Sequence, residues 1–174
     1  MTKRALVLSG GGSRGSYQVG AIQALLEAGR QWNTIHGISV GALNASWLAM
    51  HSPEEQKFSS QGLLDIWNNI DTSDDIYAPW NSIKPINYLY SMWKGSLHSG
   101  QPLRLLVDKF LDIKKIQTSG VKLTVGCVNL NNSEYTVIEG NHTHIKEFIL
   151  ASSHLPLVFE PISLHEEKWV DGGI

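Results

Sequence analysis

The sequence contains a single cysteine, no cluster of basic residues and no hydrophobic segment long enough to cross a membrane. Cys127 is the one cysteine among 174 residues, so no intrachain disulfide can form, which suits a reducing compartment. The net charge of −2 without a basic patch argues against a nucleic-acid partner. The apolar run Ala5–Leu8 is shorter than the roughly 7 to 15 residues of a secretory signal. We therefore expect one cytoplasmic domain without a transmembrane segment.

Residues 37–41 read Gly-Ile-Ser-Val-Gly, the G-x-S-x-G pattern of a nucleophile elbow. In such an elbow a strand turns sharply into a helix, and the serine lies on the strained turn with its hydroxyl exposed. The preceding residues are apolar and β-branched enough for a strand, and the following ones have helical spacing. Gly37 and Gly41 fit because strand and helix pack too closely there for a Cβ. The pattern predicts Ser39 as a nucleophile.

A second glycine-rich segment, residues 10–15, connects the Ala5–Leu8 run to a predicted helix that starts at Ser16. Its G-x-G-x-x-G spacing fits a dinucleotide-binding loop, but the second strand lacks the acidic residue that would hold a ribose. Main-chain N–H groups in such a loop also suit a developing negative charge. Both loops follow neighbouring strands of a βαβ unit, so we expect this one beside Ser39 as an oxyanion hole. Phosphate or nucleotide binding is the alternative.

Residues 71–100 form the least regular part of the sequence and are rich in aromatic side chains. A flap that contacts lipid at a membrane surface is one interpretation. Rings that cover the core are the other, and the general tendency of large rings to be buried favours it. Beyond this segment we predict a helix over 102–111, an antiparallel hairpin of 121–130 with 134–139, a helix over 145–152 and a last strand over 168–170. The aromatic residues of segment 71–100 discussed above are Tyr77, Trp80, Tyr88, Tyr90 and Trp93.

The glycine loop, the elbow and the sequence Asp171-Gly172-Gly173, in this order, resemble the patatin-like phospholipases. Residues 151–156 are similar to that family's A-S-x-x-x-P stretch. The resemblance implies an α/β fold of three layers, with a central, mostly parallel sheet flanked by helices. It implies a serine hydrolase of lipid acyl esters, phospholipids included, that needs neither a metal nor another cofactor. A soluble carboxylesterase or thioesterase is the enzymatic alternative.

Carried over by position, the resemblance implies a dyad of Ser39 as nucleophile and Asp171 as general base. A carboxylate with an unperturbed pKa near 3.9 is a weak base for an alcohol, so the oxyanion hole must carry much of the catalysis. Arg14 is expected to organise the loop through hydrogen bonds. The residues implied in the oxyanion hole, chiefly its second and third glycines, are Gly10, Gly11, Gly12, Arg14 and Gly15.

Two further expectations concern the end of the chain. A histidine-based triad would need a late base, and His154 and His165 are the candidates, oriented by Asp108 or Asp112. Asp171 lies three residues from the C-terminus, whereas the resembling family usually continues past this motif. We therefore expect residues 1–174 to be a single hydrolase domain that is truncated at its C-terminus.

Overall fold

The computed structural model describes residues 3–174 and has strands and helices of a mixed α/β fold. The strands are β1 (Ala5–Leu8), β2 (Thr34–Gly37), β3 (Lys122–Asn129), β4 (Glu134–Glu139), β5 (Ile162–Leu164) and β6 (Glu167–Asp171). The helices are α1 (Gly15–Glu27), α2 (Val40–Ala49), α3 (Gln56–Asn68), α4 (Lys84–Lys94), α5 (Gln101–Phe110), α6 (Ile113–Thr118) and α7 (Ile145–Ser152). The predicted α/β class is confirmed, as is the antiparallel hairpin, which β3 and β4 form.

The sheet brings the ends of two strands together against the middle of β3. β1, β2 and β3 run parallel, and β2 pairs with residues 122–125 of β3. β6 is antiparallel to β3 and pairs with residues 127–129. Because β4 pairs with both halves of β3, it occupies the other edge, and β2 and β6 share one edge. Their C-terminal ends therefore point towards each other, opposite β3 residues that lie about 7 Å apart.

Helices α2 and α7 pack against one face of this sheet. The crossovers from β1 to β2 and from β2 to β3 advance in the same direction, so right-handed connections put α1 and α2 on the same side. Ile35, Leu123 and Val125 point to that side and are buried. Val7, on the opposite face, is 70% exposed.

The core between the sheet and the helices is made by α2 and α7. Small residues of α2 such as Ala42 and Ala45 are fully buried, which lets this helix lie close to the strands. Cys127, on β3, is buried among them. Burial raises the pKa of its thiol to about 12, so it is not a reactive thiolate at neutral pH.

The segment 71–100 does not form a cover over the core along its whole length. Tyr77 and Trp80 are half-buried, and the Trp80 indole N–H donates to the Ser96 carbonyl at 3.0 Å. α4, in contrast, has no buried residue. The favoured interpretation of the aromatic residues is therefore wrong for α4, whose rings face solvent. Among the helices of residues 3–174, none combines the length and the apolar character needed to cross a membrane.

Candidate active site

Ser39 lies on a strained turn between β2 and α2. Its φ is 56° and its ψ −132°, a conformation that costs a residue with a side chain about 1–3 kcal/mol. The two glycines of the elbow make this turn possible. A Cβ on Gly37 would lie 2.6 Å from the Cα of Ala42, and one on Gly41 would lie 2.6 Å from the carbonyl oxygen of Ser9. The strand, the turn and the helix predicted for this segment are thus all formed.

Two serines at the end of α7 hold the main chain of Ser39. The Ser39 N–H donates to Oγ of Ser152 at 2.9 Å, and the Ser152 hydroxyl donates to the carbonyl of Gly126 at 2.7 Å. The Ser153 hydroxyl donates to the Ser39 carbonyl at 3.2 Å. Ser152 is fully buried and ties the elbow to the centre of β3. These two serines belong to the A-S-x-x-x-P stretch, but the sequence alone did not assign them a role.

The Ser152→Ala protein should therefore be less stable than wild type. Loss of the hydroxyl leaves the half-buried Ser39 N–H without an acceptor, which should lower the free energy of unfolding by about 1–3 kcal/mol. Ser153→Ala is the matched control, because the Ser39 carbonyl also accepts from the Ala42 N–H at 2.8 Å. The Ser153→Ala substitution should lower the free energy of unfolding by less than about 1 kcal/mol. Urea unfolding measures both values, and equal losses would show that Ser152 does not lock the elbow.

The glycine loop packs against Ser39. A Cβ on Gly10 would lie 3.0 Å from the Cβ of Ser39. Gly12 has a φ of 56°, a conformation that glycine adopts most readily. Within residues 3–174, the N–H groups of Gly11, Gly12 and Val40 donate no hydrogen bond. The loop and the first residue of α2 therefore present free main-chain donors beside the serine.

A buried asparagine anchors this loop from behind. The side-chain amide of Asn44, on α2, donates to the Gly15 carbonyl at 3.1 Å and accepts from the Trp67 indole N–H at 2.9 Å. A Cβ on Gly15 would lie 2.6 Å from the Trp67 ring, so this glycine serves helix packing. Nothing in the spacing of the sequence indicated Asn44, because its partners come from two other helices, α1 and α3.

Arg14 contributes to the loop through its main chain. Its N–H donates to the Gly11 carbonyl at 3.2 Å and closes the turn. Its side chain is exposed, and the guanidinium has no hydrogen bond or ion pair in the part of the chain that the structure describes. The expected hydrogen bonds from the Arg14 side chain are thus not formed.

Asp171 ends β6 and lies at the same point of the sheet as the elbow. It is 4% exposed, and its Oδ1 accepts the N–H of Gly173 at 2.8 Å. Burial raises the pKa of Asp171, and the nearby Ser39 hydroxyl, the Gly173 N–H and the charge of His154 offset part of that rise. No hydrogen bond of standard distance and angle joins the Ser39 hydroxyl to the Asp171 carboxylate, both of which the structure describes. They are neighbours poised to form one.

The structure places the histidine candidates away from the Ser39 hydroxyl. Nδ1 of His154 donates to the Glu160 carbonyl at 2.8 Å, its ring stacks on Phe159, and burial lowers its pKa. The Nδ1 of His154 is thus occupied, and its main-chain carbonyl accepts the Asp171 N–H at 3.1 Å. His165 occupies the turn between β5 and β6, six residues from Asp171, a separation of about 20 Å along a strand.

The acidic partners of the alternative triad have other roles. Asp108 forms an ion pair with Lys146. Asp112 caps α6, because its Oδ1 accepts the N–H of Lys114 at 2.9 Å. Neither bonds to a histidine within residues 3–174, so the described structure assembles no Ser–His–Asp arrangement. The side chains that it does bring together are those of Ser39 and Asp171.

A serine on a strained strand-to-helix turn, beside free main-chain N–H groups, is the local geometry of the nucleophile elbow in α/β hydrolases. The sequence also matches one particular family of serine hydrolases. The model of the patatin-like phospholipase family matches residues 6–174. The chain belongs to this family.

Curated relatives in fungi carry lipase and lysophospholipase names. Triacylglycerol lipase ptl3 of Schizosaccharomyces pombe is 28% identical over 93% of this chain and 35% of its own length. Triacylglycerol lipase 5 of Saccharomyces cerevisiae is 32% identical over 63% of this chain and 14% of its own. Lysophospholipase NTE1 of Scheffersomyces stipitis is 25% identical over 97% of this chain and 10% of its own length. The chain thus spans about a third or less of the length of these relatives.

A solved structure supports the fold. The crystal structure of VipD from Legionella pneumophila superposes with a TM-score of 0.58, at 20% sequence identity. The match covers 99% of this chain and 46% of VipD. At this identity the likeness concerns the fold.

Proposed function

We propose that this protein is a serine hydrolase of lipid acyl esters in which Ser39 forms the acyl-enzyme and Asp171 is the general base. One observation supports this most strongly. The strand that ends at the Ser39 elbow and the strand that ends at Asp171 meet end to end along one edge of β3. This arrangement supports direct transfer of the serine proton to the carboxylate, without an intervening histidine.

In the proposed reaction Asp171 takes the proton of the Ser39 hydroxyl as Oγ attacks the ester carbonyl. Burial raises the pKa of this carboxyl group, which makes its ionised form a stronger base than an exposed aspartate. The developing oxyanion accepts hydrogen bonds from the free N–H groups of Gly11, Gly12 and Val40. Asp171 then returns the proton to the leaving alcohol, and water cleaves the acyl-enzyme by the same steps in reverse.

The substrate class is inferred from the family and from the names of the relatives. Two of them are named for triacylglycerol and one for lysophospholipid hydrolysis, so ester-linked glycerolipids are the proposed substrates. Nucleotide binding has less support, because the second strand ends at the elbow and carries no acidic residue for a ribose.

A panel of esters tests the substrate class. The purified protein should release fatty acid from triacylglycerol, phospholipid or lysophospholipid, with the Ser39→Ala protein as the blank. Turnover of short soluble esters or thioesters with no hydrolysis of any lipid would replace the proposal by a soluble esterase or thioesterase. Absence of all turnover, together with tight nucleotide binding, would favour the phosphate-binding alternative.

The glycine loop can be tested by a substitution at Gly12. A Cβ there meets nothing within 4 Å, but the φ of 56° disfavours alanine. Gly12→Ala should therefore turn the N–H out of position and lower kcat by about 10²–10³. Gly29→Ala is the matched control, because Gly29 also has a positive φ and open space but lies at the far end of α1. Equal kcat values for both proteins in steady-state assays would show that the loop is not an oxyanion hole.

A further inference from the structure

α4 is folded with its apolar side outward. Proline in its first turn and Gly95 in the left-handed conformation mark its two ends. The side chains that face the protein are the half-buried Asn87 and Ser91, one helical turn apart. The Asn87 carboxamide accepts the N–H of Asn81 at 3.0 Å, and the Ser91 hydroxyl donates to the Leu97 carbonyl at 3.3 Å. The polar stripe of α4 is thus the one that holds it to the domain.

The outward stripe of α4 consists of large apolar side chains at spacings of three and four residues. Such a stripe normally packs on a core. Here it is open to solvent within residues 3–174, although a monomeric soluble protein seldom exposes contiguous apolar surface of this kind. The exposed fractions are 68% for Tyr88, 65% for Leu89, 67% for Met92 and 77% for Trp93.

The stretch around α4 is positively charged, in contrast to the rest of the chain. From residue 76 to residue 107 there is no aspartate or glutamate, whereas Lys84, Lys94 and Arg104 fall within it. Lys94 lies over the rings of Trp80 and Trp93, with Nζ 5.1 and 5.3 Å from the ring centroids. Lys94 also forms an ion pair with Glu160 at 3.6 Å, so among residues 3–174 the cations of this stretch without an ion pair are Lys84 and Arg104. Cations beside aromatic and aliphatic side chains are complementary to an anionic lipid interface.

This surface continues to the catalytic elbow. The segment after α4 pairs with the loop that follows α7, through the Leu97 N–H to the Leu157 carbonyl at 2.8 Å and the His98 N–H to the Val158 carbonyl at 3.0 Å. Leu157 and Leu155 on that loop are exposed. The same loop begins after the serines that hold the main chain of Ser39.

We propose that α4, together with Leu97, Leu155 and Leu157, forms a docking surface that inserts into the interface of an anionic lipid bilayer. This inference rests on the proposed function, because it assigns to the lipid hydrolase the surface that meets its aggregated substrate. The aromatic and aliphatic side chains enter the boundary between head groups and acyl chains. Lys84 lies near the anionic head groups, and the loop from α7 extends the contact towards Ser39.

Vesicle co-sedimentation tests the docking surface without turnover, using the Ser39→Ala protein. It should bind vesicles of phosphatidylcholine with phosphatidylglycerol more tightly than vesicles of phosphatidylcholine alone, and salt should weaken binding. Adding Leu89→Asp and Trp93→Asp should weaken binding by at least about tenfold. Phe58→Asp is the matched control, since Phe58 on α3 is 83% exposed outside this surface. Urea unfolding checks that each protein is folded.

Three results would overturn the inference. They are no binding of the Ser39→Ala protein to anionic vesicles, equal loss on Phe58→Asp, or a dimer in size-exclusion chromatography that the Leu89→Asp and Trp93→Asp changes dissociate. The last would show that a second copy covers the surface. In the Ser39-containing protein, the two changes should reduce hydrolysis of vesicle phospholipid while leaving p-nitrophenyl butyrate turnover unchanged. Vesicle binding without any ester turnover would refute the proposed function and leave the docking surface standing.

Discussion

The Ser39→Ala protein should fold like wild type and lose ester hydrolysis by at least about 10⁴-fold in kcat. The substitution removes the attacking oxygen but keeps the main-chain bonds to Ser152 and Ser153, which do not involve the Ser39 side chain. Steady-state assays on a soluble ester measure the loss, and circular dichroism checks the fold. Wild-type turnover in a folded Ser39→Ala protein would refute the assignment of the nucleophile.

A glycine at the same position separates catalysis from strain. Because φ at Ser39 is 56°, Ser39→Gly should be more stable to urea than Ser39→Ala, by about 1 kcal/mol, and equally inactive. A Ser39→Gly protein that is less stable than Ser39→Ala would show that the elbow is not strained.

The Asp171→Asn protein should lose at least about 10³-fold in kcat while remaining folded. The asparagine oxygen can keep the hydrogen bond from the Gly173 N–H, but the amide cannot accept the proton of the serine. Activity assays with unfolding measurements on the same samples test this expectation. His165→Ala and His154→Asn are the controls, because the asparagine amide can replace the His154 bond to the Glu160 carbonyl. A comparable loss in either histidine variant would favour a triad.

The raised pKa of Asp171 sets the sign of two pH effects. The active form is the carboxylate, so kcat should fall as pH falls through a pKa above the ordinary 3.8. The fold disfavours the buried charge, so at neutral pH Asp171→Asn should be at least as stable as wild type. That difference should disappear below pH 3.8, where the group is protonated in the folded and unfolded states alike.

Local patterns in the sequence were enough to place the elbow. The strand before Ser39, its flanking glycines and the helix after it all depend on residues within one turn of chain. The parallel arrangement of β1 and β2 follows from the short helix between them, and it brings Gly10 to the serine as expected. The position of Asp171 came from a family motif, and its structural basis is the antiparallel entry of β6 along β3.

Long-range contacts were beyond the reach of sequence patterns. The bond between Ser39 and Ser152 joins residues 113 positions apart, and only the folded chain shows it. The exposure of Val7 in the apolar run Ala5–Leu8 is also visible only in the folded chain, where α2 and α7 cover one side of the sheet. The prediction that the aromatic rings cover the core was wrong for α4, because the polar stripe of this helix faces inward. The C-terminal truncation and the cytoplasmic location stay predictions.

Covalent labelling tests the central claim most directly. A fluorophosphonate reacts only with an activated serine, so mass spectrometry of the labelled and digested wild-type protein should find one adduct, on Ser39. The Ser39→Ala protein should remain unlabelled, and Asp171→Asn should label far more slowly. An adduct on another serine, or none on a folded wild-type protein that hydrolyses esters, would contradict the account.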